Sequence, residues 1–193
     1  MEIVLATKNE HKKKEIINIF KGMNLSFVTL KEYPDLPEVN EDGKTFEENA
    51  VKKAKEISLY TGKIAIADDS GLEVDVLNRE PGIYSARFAG EHSNDSLNNQ
   101  KLLSLLEKYP DKKDRKARFV CVMAIVDKDK IIGTAKGICE GYIAKELKGN
   151  NGFGYDPLFV IPEYNKTFAE LGKEIKDKIS HRAKALMLIK KLL

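Results

Sequence analysis

The sequence predicts a fold in which helices and strands are mixed along the whole chain, of the α/β or α+β class. Short apolar runs such as residues 3–7 (IVLAT) are typical of buried strands. Residues 45–62, in contrast, place Phe46, Ala50 and Ile57 at helical spacing. The two kinds of segment follow one another without an internal repeat or a low-complexity linker, and the length of 193 residues suits one large domain or two small ones.

The predicted strands are either continuously apolar or alternate between apolar and polar residues. They are residues 3–7, residues 25–30, residues 64–71, where a strand runs into an acidic turn, residues 72–78, and a hairpin over residues 116–144. The hairpin turns at Asp127 to Lys130.

The predicted helices carry apolar residues three and four positions apart, and glycines or capping residues mark their ends. They are residues 12–22, residues 45–62, residues 94–109 and residues 180–193. In the second helix, Thr45 and Glu48 predict a capping box. The third has Leu97 among its inward-facing leucines, and Ser180 caps the last.

The composition is that of a globular protein rather than a disordered one. Hydrophobic residues make up 42% and charged residues 33% of the chain, which is enough apolar material for a core. The 33 basic and 30 acidic side chains leave a formal net charge of +3. This small excess does not require a nucleic acid partner. It suits a small anionic ligand if several lysines converge.

The sequence also predicts a soluble, cytoplasmic protein. Cys121 and Cys139 lie in apolar runs and lack metal-binding spacing, so we expect two reduced core residues. The amino-terminal charges follow the short apolar run instead of preceding it, unlike those of a signal peptide. No apolar run approaches the ~20 residues of a membrane span.

The first candidate site follows the first strand, where Thr7, Lys8 and Asn9 lead into a helix. Backbone N–H groups at such a helix start attract phosphate, and Lys12 can reach the same anion. The alternative is a capped helix with a solvated lysine face.

The second candidate is the acidic pair in residues 66–71 (IADDSG). Neighbouring residues on a strand point to opposite faces, so we expect Asp68 and Asp69 to have different roles. One is expected to hold structure by accepting backbone hydrogen bonds, and the other to face a ligand site, where carboxylate and phosphate oxygens suit Mg²⁺. The alternative is a solvated Asx-turn at the end of the strand.

The third candidate is an acidic loop, residues 38–43 (EVNEDG). A carboxylate of this loop, from Glu38, Glu41 or Asp42, can complete a Mg²⁺ site with Asp69 or activate a water molecule. Taken alone, the loop also fits a plain solvated segment.

The fourth candidate is the glycine-rich stretch in residues 149–159 (GNNGFGYDPLF). Gly152 and Gly154 allow a ligand to approach the backbone, and Phe153 between them can stack on a purine ring. Asp156 can orient a polar group. The alternative is a tight turn or bulge whose aromatic residues belong to the core.

The fifth candidate is residues 176–184 (KDKISHRAK), in which Lys176, His181 and Arg182 cluster at a predicted helix start. Cations in a first helical turn interact unfavourably with the positive end of the helix dipole. Because this placement costs stability, it indicates a functional role. The side chains of His181 and Arg182 can donate hydrogen bonds to a carbonyl group of a base. A harmless surface pair is the alternative.

Together, these motifs resemble one family over nearly the whole chain, from Thr7 to Arg182. The shared patterns are T-x-N-x-x-K, E-D-G-x-T-F-x-E-N-A, ADDSGL, PGIYSARFAG, GFGYDP and K-x-x-I-S-H-R. The sequence is similar to the inosine/xanthosine triphosphate pyrophosphatases, house-cleaning enzymes that remove deaminated purine nucleotides. The resemblance implies a single domain over residues 1–193, with an elongated, mixed-sheet α/β fold of two lobes around a central nucleotide-binding cleft. It also implies a homodimer.

The resemblance assigns phosphate and metal roles to residues of the first three candidates. It implies that Thr7, Asn9 and Lys12 bind the triphosphate and that Ser70 contacts phosphate. Lys8, Glu10 and His11 of the same segment are implied as further substrate-binding residues. Family members often have glycine in this amino-terminal turn, where Lys8, Glu10 and His11 stand here. Asp69 is implied as a Mg²⁺ ligand and general base, Lys12 as a catalytic cation, and Glu41 or Glu38 as a second metal ligand.

The resemblance assigns the base to the last two candidates. Phe153, Gly154, Tyr155 and Asp156 are implied to line the nucleoside pocket, while Lys176, His181 and Arg182 read the purine edge. The implied reaction is Mg²⁺-dependent hydrolysis of ITP, dITP and XTP to the nucleoside monophosphate and pyrophosphate. Three alternatives remain: a nucleotide-binding regulator without turnover, a pyrophosphatase for pyrimidine nucleotides, and a nucleic-acid-binding module.

Overall fold

The computed structural model describes residues 2–90 and 94–193. The sequence of residues 81–93 (PGIYSARFAGEHS) predicts an irregular loop before the third helix, and residues 91–93 of that loop lie outside the described residues. Within the described ranges, the chain forms seven strands and six α-helices. The predicted mixture of helices and strands is thereby confirmed.

The elements have the following bounds. The strands are β1 (Glu2–Leu5), β2 (Ser26–Thr29), β3 (Ile64–Val74), β4 (Lys116–Asp127), β5 (Lys130–Ile143), β6 (Phe159–Ile161) and β7 (Lys166–Thr167). The α-helices are α1 (Glu10–Ile19), α2 (Phe46–Thr61), α3 (Asp95–Leu106), α4 (Phe168–Leu171), α5 (Lys173–Ile179) and α6 (His181–Ile189). Short 3-10 helices occupy Leu30–Glu32, Asp75–Leu77, Gly82–Arg87, Lys112–Arg115 and Lys190–Leu192.

The described strands form one mixed sheet in the order β2-β1-β3-β4-β5-β6-β7. β1 pairs in parallel with β2 and β3, and Val4 lies opposite Val28 on one side and Ala65 on the other. β6 is antiparallel to both β5 and β7. Lys128 and Asp129 join the neighbouring strands β4 and β5, which confirms the predicted hairpin and its turn.

Residue contacts divide the chain into two compact units. Unit 1 comprises Met1–Asp69, Cys121–Gly137 and His181–Leu193, and unit 2 comprises Ser70–Val120 and Ile138–Ser180.

The core of unit 1 packs two helices against the sheet. Ile3 and Leu5 of β1 contact a cluster that includes Ile16 of α1 and Leu186 and Ile189 of α6. All five are at most 1% exposed. The helical spacing of Ala183, Leu186 and Ile189 predicts an inward face for the last helix, and their burial confirms it.

The core of unit 2 is rich in aromatic side chains. The ring of Phe159 lies 4.5 Å from that of Phe119 and 5.6 Å from that of Phe168, centroid to centroid. Leu102 and Leu106 of α3 join this cluster and are fully buried.

The predicted inward orientation of Leu97 in α3 is wrong, because this side chain is 38% exposed. The inward positions of that turn belong to Asn98 and Asn99, which lie on the same face as Leu102. Their amides donate to backbone carbonyls, so two polar residues are buried where the leucine pattern predicted an apolar one.

The predicted capping box of α2 forms only in part. The hydroxyl of Thr45 accepts the N–H of Glu48 at 3.1 Å, as predicted. The carboxylate of Glu48, however, accepts the N–H of Lys44 at 2.6 Å instead of that of Thr45. The helix nevertheless begins at Phe46, and its end at Gly62, in left-handed conformation, is as predicted.

The predicted acidic turn is also wrong, because β3 continues through Asp68, Asp69 and Ser70 to Val74. The two carboxylates find partners on either side of an extended backbone, so the chain does not need to turn at them. Apolar residues resume beyond them at Leu72, which is fully buried.

Both cysteines are buried and reduced, as predicted. Burial, reinforced by the nearby Asp68 carboxylate, raises the pKa of the Cys121 thiol to about 12. A thiol that stays protonated is a packing residue rather than a nucleophile. Among the described helices, none is long and apolar enough to cross a membrane.

Candidate active site

The two carboxylates in the middle of β3 have different partners. Asp68 is completely buried, and its Oδ2 accepts from Lys12 Nζ at 2.8 Å and Arg182 Nη2 at 3.4 Å. Asp69 is 8% exposed, and its Oδ2 accepts from Asn49 Nδ2 at 2.9 Å. The prediction that these neighbours do different work is therefore confirmed at the level of their contacts, since Asp68 meets α1 and α6 while Asp69 meets α2.

Asp68 is ionised at neutral pH and pairs with two cations. Burial opposes its ionisation, but the positive charges of Lys12, Arg182 and Lys53 outweigh this effect and hold the pKa of Asp68 well below its ordinary value. A second carboxylate, Oε2 of Glu15, lies 2.5 Å from Arg182 Nη1. Burial lowers the pKa of Arg182, but these two carboxylates raise it by more, so the guanidinium remains charged.

Asp69 has the opposite electrostatic character. Burial is the largest influence and raises its pKa, while the hydrogen bond from Asn49 and the charges of Lys53 and Lys12 oppose the rise without cancelling it. A carboxylate with a raised pKa accepts a proton more readily than an ordinary aspartate. Of the two acids, Asp69 is therefore the one suited to general base chemistry.

The segment after β1 forms a capped helix start. The buried hydroxyl of Thr7 accepts the N–H of Asn9 at 3.2 Å. The side-chain oxygen of Asn9 then accepts the N–H groups of His11 at 2.9 Å and Lys12 at 3.2 Å. The cap is present, and phosphate binding at this turn stays a prediction.

Three other residues of this segment lie at the surface. Lys8 pairs with Glu38 at 3.2 Å, and both side chains are more than two-thirds exposed. The Glu10 carboxylate lies 3.0 Å from the ammonium of Lys13. His11 is exposed. In contrast, Lys12 turns its ammonium inward to Asp68.

Sequence reasoning missed Lys53, a largely buried cation that pairs with the acidic loop. Its Nζ lies 2.8 Å from Glu41 Oε1, and its side chain is 12% exposed. Burial lowers the pKa of Lys53, but the negative charges of Asp68, Glu41 and Asp69 raise it by more, so the net shift is upward. The ammonium therefore stays charged among these carboxylates.

Sequence reasoning also gave no role to Asn49, which is 1% exposed. A signal for both residues was present in the helical pattern. Asn49 lies beside Phe46 and Ala50 on the buried face of α2, where an apolar residue is expected, and Lys53 follows four positions later.

The residues available for a metal ion are carboxylates of unit 1. Among the described residues, no group of three or more histidines, cysteines and acids is arranged to hold a metal. Mg²⁺, however, is often bound by one or two carboxylates completed by water and substrate phosphates. Asp69 and Glu41 provide such a pair, since the charge of Glu41 contributes to raising the pKa of Asp69. Their oxygen chemistry fits Mg²⁺.

In unit 2, Asp156 organises the glycine-rich stretch. Its buried Oδ2 accepts the N–H of Phe153 at 2.9 Å and lies 2.5 Å from Lys176 Nζ. The same ammonium lies 4.4 Å from the ring centroid of Phe153, within range of a cation–π interaction. Gly152 has φ of +83°, and a Cβ there would lie 2.0 Å from Asp156 Oδ2, so glycine is required on two grounds.

Gly154 and Tyr155, which follow in the stretch, form hydrogen bonds with other residues of unit 2. The N–H of Gly154 donates to Asp95 Oδ2 at 2.6 Å, and its carbonyl accepts from Asn99 at 2.9 Å. Tyr155 is a core residue whose hydroxyl donates to the carbonyl of Ser85 at 2.8 Å. Tyr155 thus has the predicted alternative role, a core aromatic, whereas Phe153 is only half-buried.

The predicted cluster of cations at one helix start is confirmed for His181 and Arg182, which begin α6, and is wrong for Lys176. Lys176 lies on α5 in unit 2, and a separate helix, α6, begins at His181 and carries Arg182 in unit 1. Ser180 stands between the two helices, as the predicted residue before the last one. His181 and Arg182 are both buried, so a harmless surface pair is excluded as well. Ser70 lies within β3 and is half-buried.

The candidate site residues are spread over most of the chain, from Thr7 to Arg182. The match to known proteins covers the same length. The model of the Ham1 family matches residues 3–192. The chain belongs to the Ham1 family. The match takes in every predicted site residue of this Ham1 chain.

Its relatives in the Ham1 family are close. A dITP/XTP pyrophosphatase of Desulforamulus reducens is 56% identical over 186 residues, covering 96% of this chain and 92% of that protein. A dITP/XTP pyrophosphatase of Clostridium perfringens is 53% identical over 197 residues, covering 98% and 95%. The structure of a HAM1 protein from Coxiella burnetii has a TM-score of 0.92 and 40% identity, covering 100% of this chain and 98% of that one.

Proposed function

We propose that this protein is an enzyme that hydrolyses the non-standard purine nucleoside triphosphates ITP, dITP and XTP to the nucleoside monophosphate and pyrophosphate. Residues 1–193 act as a single nucleoside triphosphate pyrophosphatase domain that removes deaminated purines from the nucleotide pool. The observation that carries the proposal is Asp69, a buried acid with a raised pKa that lies beside charged lysines, in a chain 56% identical to a dITP/XTP pyrophosphatase.

Unit 1 supplies the chemistry at the phosphates. Thr7, Asn9, Lys12 and Ser70 bind the triphosphate, and Lys12, together with Lys53, offsets its negative charge. Lys8, Glu10 and His11 of the same segment complete the substrate-binding turn. Asp69 takes a proton from a water molecule, which attacks the α-phosphorus, and pyrophosphate leaves. No covalent enzyme intermediate is needed. The raised pKa of Asp69 supports its role as proton acceptor.

Asp69 and an acid of the acidic loop, Glu41 or Glu38, bind Mg²⁺. When bound, the ion neutralises charge on the triphosphate and polarises a phosphoryl oxygen. Glu41 is favoured over Glu38 because its charge acts on Asp69, whereas Glu38 pairs with Lys8 at the surface.

Unit 2 supplies most of the base recognition. Phe153 stacks on the purine, and residues 154–156 line its pocket, with Lys176 at its edge. His181 and Arg182 donate to the 6-carbonyl that inosine and xanthosine share. With adenine, which has an amino group there, buried donors lose their acceptor at a cost of about 1–3 kcal/mol each.

The enzyme acts on small molecules in the cytoplasm, as a homodimer and without a nucleic acid partner. Support for the last point is the pairing of surface lysines with acids, such as Lys8 with Glu38 and Lys52 with Asp42. Analytical ultracentrifugation tests the dimer. Salt-sensitive binding to RNA or DNA would speak against the small-molecule assignment.

The deciding experiment measures pyrophosphate release from ITP, XTP, dITP, GTP and ATP, with Mg²⁺ and with EDTA. We expect metal-dependent release from ITP and XTP at least ~100-fold faster than from ATP and GTP, a difference of about 2.7 kcal/mol at the transition state. Asp69→Asn should abolish it. If no purine triphosphate is hydrolysed, the enzyme assignment fails and a nucleotide-binding regulator takes its place.

A further inference from the structure

We propose that Asn49 is a positioning residue for the cation of this site, because its side chain joins the acidic loop to Asp69. The inference rests on the proposed function only in taking the cation to be a divalent metal bound by Asp69 and the loop. Asn49 itself contacts neither substrate nor metal.

The side-chain amide of Asn49 accepts one hydrogen bond and donates another. Its Oδ1 accepts the backbone N–H of Gly43 at 2.8 Å, and its Nδ2 donates to Asp69 Oδ2 at 2.9 Å. A backbone N–H can only donate and an ionised carboxylate can only accept, so the partners fix the orientation of the amide. Neither aspartate nor leucine can make both bonds in its place.

Gly43 shows how closely the acidic loop lies against α2. A Cβ at this position would be 2.6 Å from Asn49 Oδ1 and 2.8 Å from the Cβ of Glu48. The requirement for glycine is therefore one of space, and any larger residue must push the loop away from Asn49.

Lys53 holds the same loop one helical turn further along α2. Its ammonium lies 2.8 Å from Glu41, so the loop is fastened by its backbone to Asn49 and by a side chain to Lys53. Of these two helix residues, Asn49 is the one hydrogen-bonded to Asp69. It thus sets where the loop acids stand relative to Asp69 and which way that carboxylate faces.

A group that orients metal ligands has a measurable effect on the metal. Loss of such an outer partner typically reduces metal affinity or activity by about 10–100-fold. A merely structural asparagine, in contrast, changes the stability of the fold and leaves cation affinity as it was. The two roles therefore separate when affinity and stability are measured on the same variants.

The chain offers a matched control in Asn98. It is also a buried helical asparagine, 2% exposed, and its Oδ1 accepts the N–H of Ala89 at 2.8 Å. It fastens a loop of unit 2 and lies outside the proposed metal site. Asn98→Ala reports the cost of losing a buried asparagine clasp, and Gly43→Ala disturbs the loop while keeping the Asn49 side chain.

The experiment measures Mn²⁺ binding without nucleotide, by the paramagnetic resonance signal of free Mn²⁺, and thermal unfolding of each variant. We expect the Mn²⁺ dissociation constant to rise at least about tenfold in Asn49→Ala and Gly43→Ala. In Asn98→Ala it should stay within about twofold of the wild type, although the unfolding temperature falls. If Asn49→Ala does not fold, Gly43→Ala carries the test.

The outcomes separate the two proposals. Unchanged Mn²⁺ affinity in the folded variants overturns the role of Asn49, whatever the catalytic result. Absence of Mn²⁺ binding to the wild type overturns it too, because the proposal requires Asp69 and the loop acids to bind the cation before the nucleotide does. Mn²⁺ binding that depends on Asn49 in a protein that hydrolyses no triphosphate overturns the proposed function alone.

Discussion

The ammonium of Lys12 lies 2.8 Å from a carboxylate oxygen of Asp68, a side chain that is completely buried. Arg182 approaches the same oxygen from α6 at 3.4 Å. One acid in the middle of β3 therefore holds in place two cations that are far apart in the sequence. Both cations have proposed roles in binding the substrate. The geometry of the proposed site therefore depends on Asp68, although Asp68 need not contact the substrate itself.

Replacing Asp68 by asparagine should destabilise the fold strongly at neutral pH. The change removes the shared counter-charge of the partly buried Lys12 and the buried Arg182, and breaking a buried ion pair typically costs about 3–5 kcal/mol. Urea unfolding at pH 7 measures this loss. Asp42→Asn, which removes an exposed partner of Lys52, is the matched control and should unfold near the wild type.

The same variant should change the dependence of stability on acid. The pKa of Asp68 is lower in the folded state than in the unfolded chain, so the unfolded state binds more protons as the pH falls below the ordinary value of about 3.9. Its stabilising contribution is present above that pH and is lost as the pH falls further. Asp68→Asn should lose less stability than the wild type between pH 5 and pH 3. A wild-type acid dependence in the variant would contradict this assignment.

The acidic limb of the pH–rate profile should report Asp69. A base must be ionised to accept a proton, and burial raises the pKa of Asp69 above the ordinary value of 3.8. We expect kcat/KM to fall on the acidic side with an apparent pKa above that value. In Lys53→Met the limb should move to higher pH, because the charge of Lys53 opposes the rise.

Lys52→Met is the control for that shift. Lys52 is the neighbour of Lys53 on α2, but its ammonium pairs with Asp42 at 2.6 Å. Its removal should leave the limb where it is. A limb that does not move in Lys53→Met would remove Asp69 as the titrating group.

Arg182→Ala should reduce the preference for ITP over ATP by about tenfold or more, since a lost hydrogen bond to a charged donor is typically worth about 1.5–3 kcal/mol. The competing role is structural, because the guanidinium also pairs with Glu15 and Asp68. Steady-state kinetics with both substrates, together with thermal unfolding, distinguish the two. Glu15→Gln keeps the guanidinium and should keep the preference. Lower stability with an unchanged ITP-to-ATP ratio would make Arg182 a structural residue only.

Two glycines of the stretch around Phe153 provide a matched pair. Gly152 and Gly154 both have positive φ, but a Cβ at Gly152 would meet Asp156 Oδ2 at 2.0 Å, whereas at Gly154 nothing lies within 4 Å. Gly154→Ala should cost about 1 kcal/mol of backbone strain, and Gly152→Ala clearly more. Urea unfolding of both variants checks this, and equal costs would show that crowding at Asp156 is unimportant.

The sequence predicted the elements better than it predicted the contacts between them. The first two strands, the hairpin turn and the end of α2 at Gly62 follow from local patterns, and the structure confirms them. The parallel pairing of these two strands was not predicted. The turn at Asp68 and Asp69 was wrong because adjacent acids usually mark a loop. Here, partners from other elements make an extended backbone favourable, and local sequence does not show such partners.

The same reason explains the residues that were missed or misplaced. Asn49 and Lys53 belong to a regular helix, and their importance lies in contacts with Asp69 and Glu41. Lys176 and Arg182 are six positions apart in the sequence, but a new helix begins between them and directs each to a different unit. Spacing along a chain predicts proximity only while one element continues.

The burial of both native thiols makes the folded protein a convenient subject for site-specific labelling. Alkylating reagents attack the thiolate, and Cys121, with its pKa of about 12, remains a protonated thiol at the pH of such reactions. Cys139 is equally enclosed, at 4% exposure. A cysteine introduced at an exposed position such as Leu147, which is 54% exposed, should then be the only cysteine that reacts with a fluorophore. Nucleotide binding can be followed optically without first removing either native cysteine.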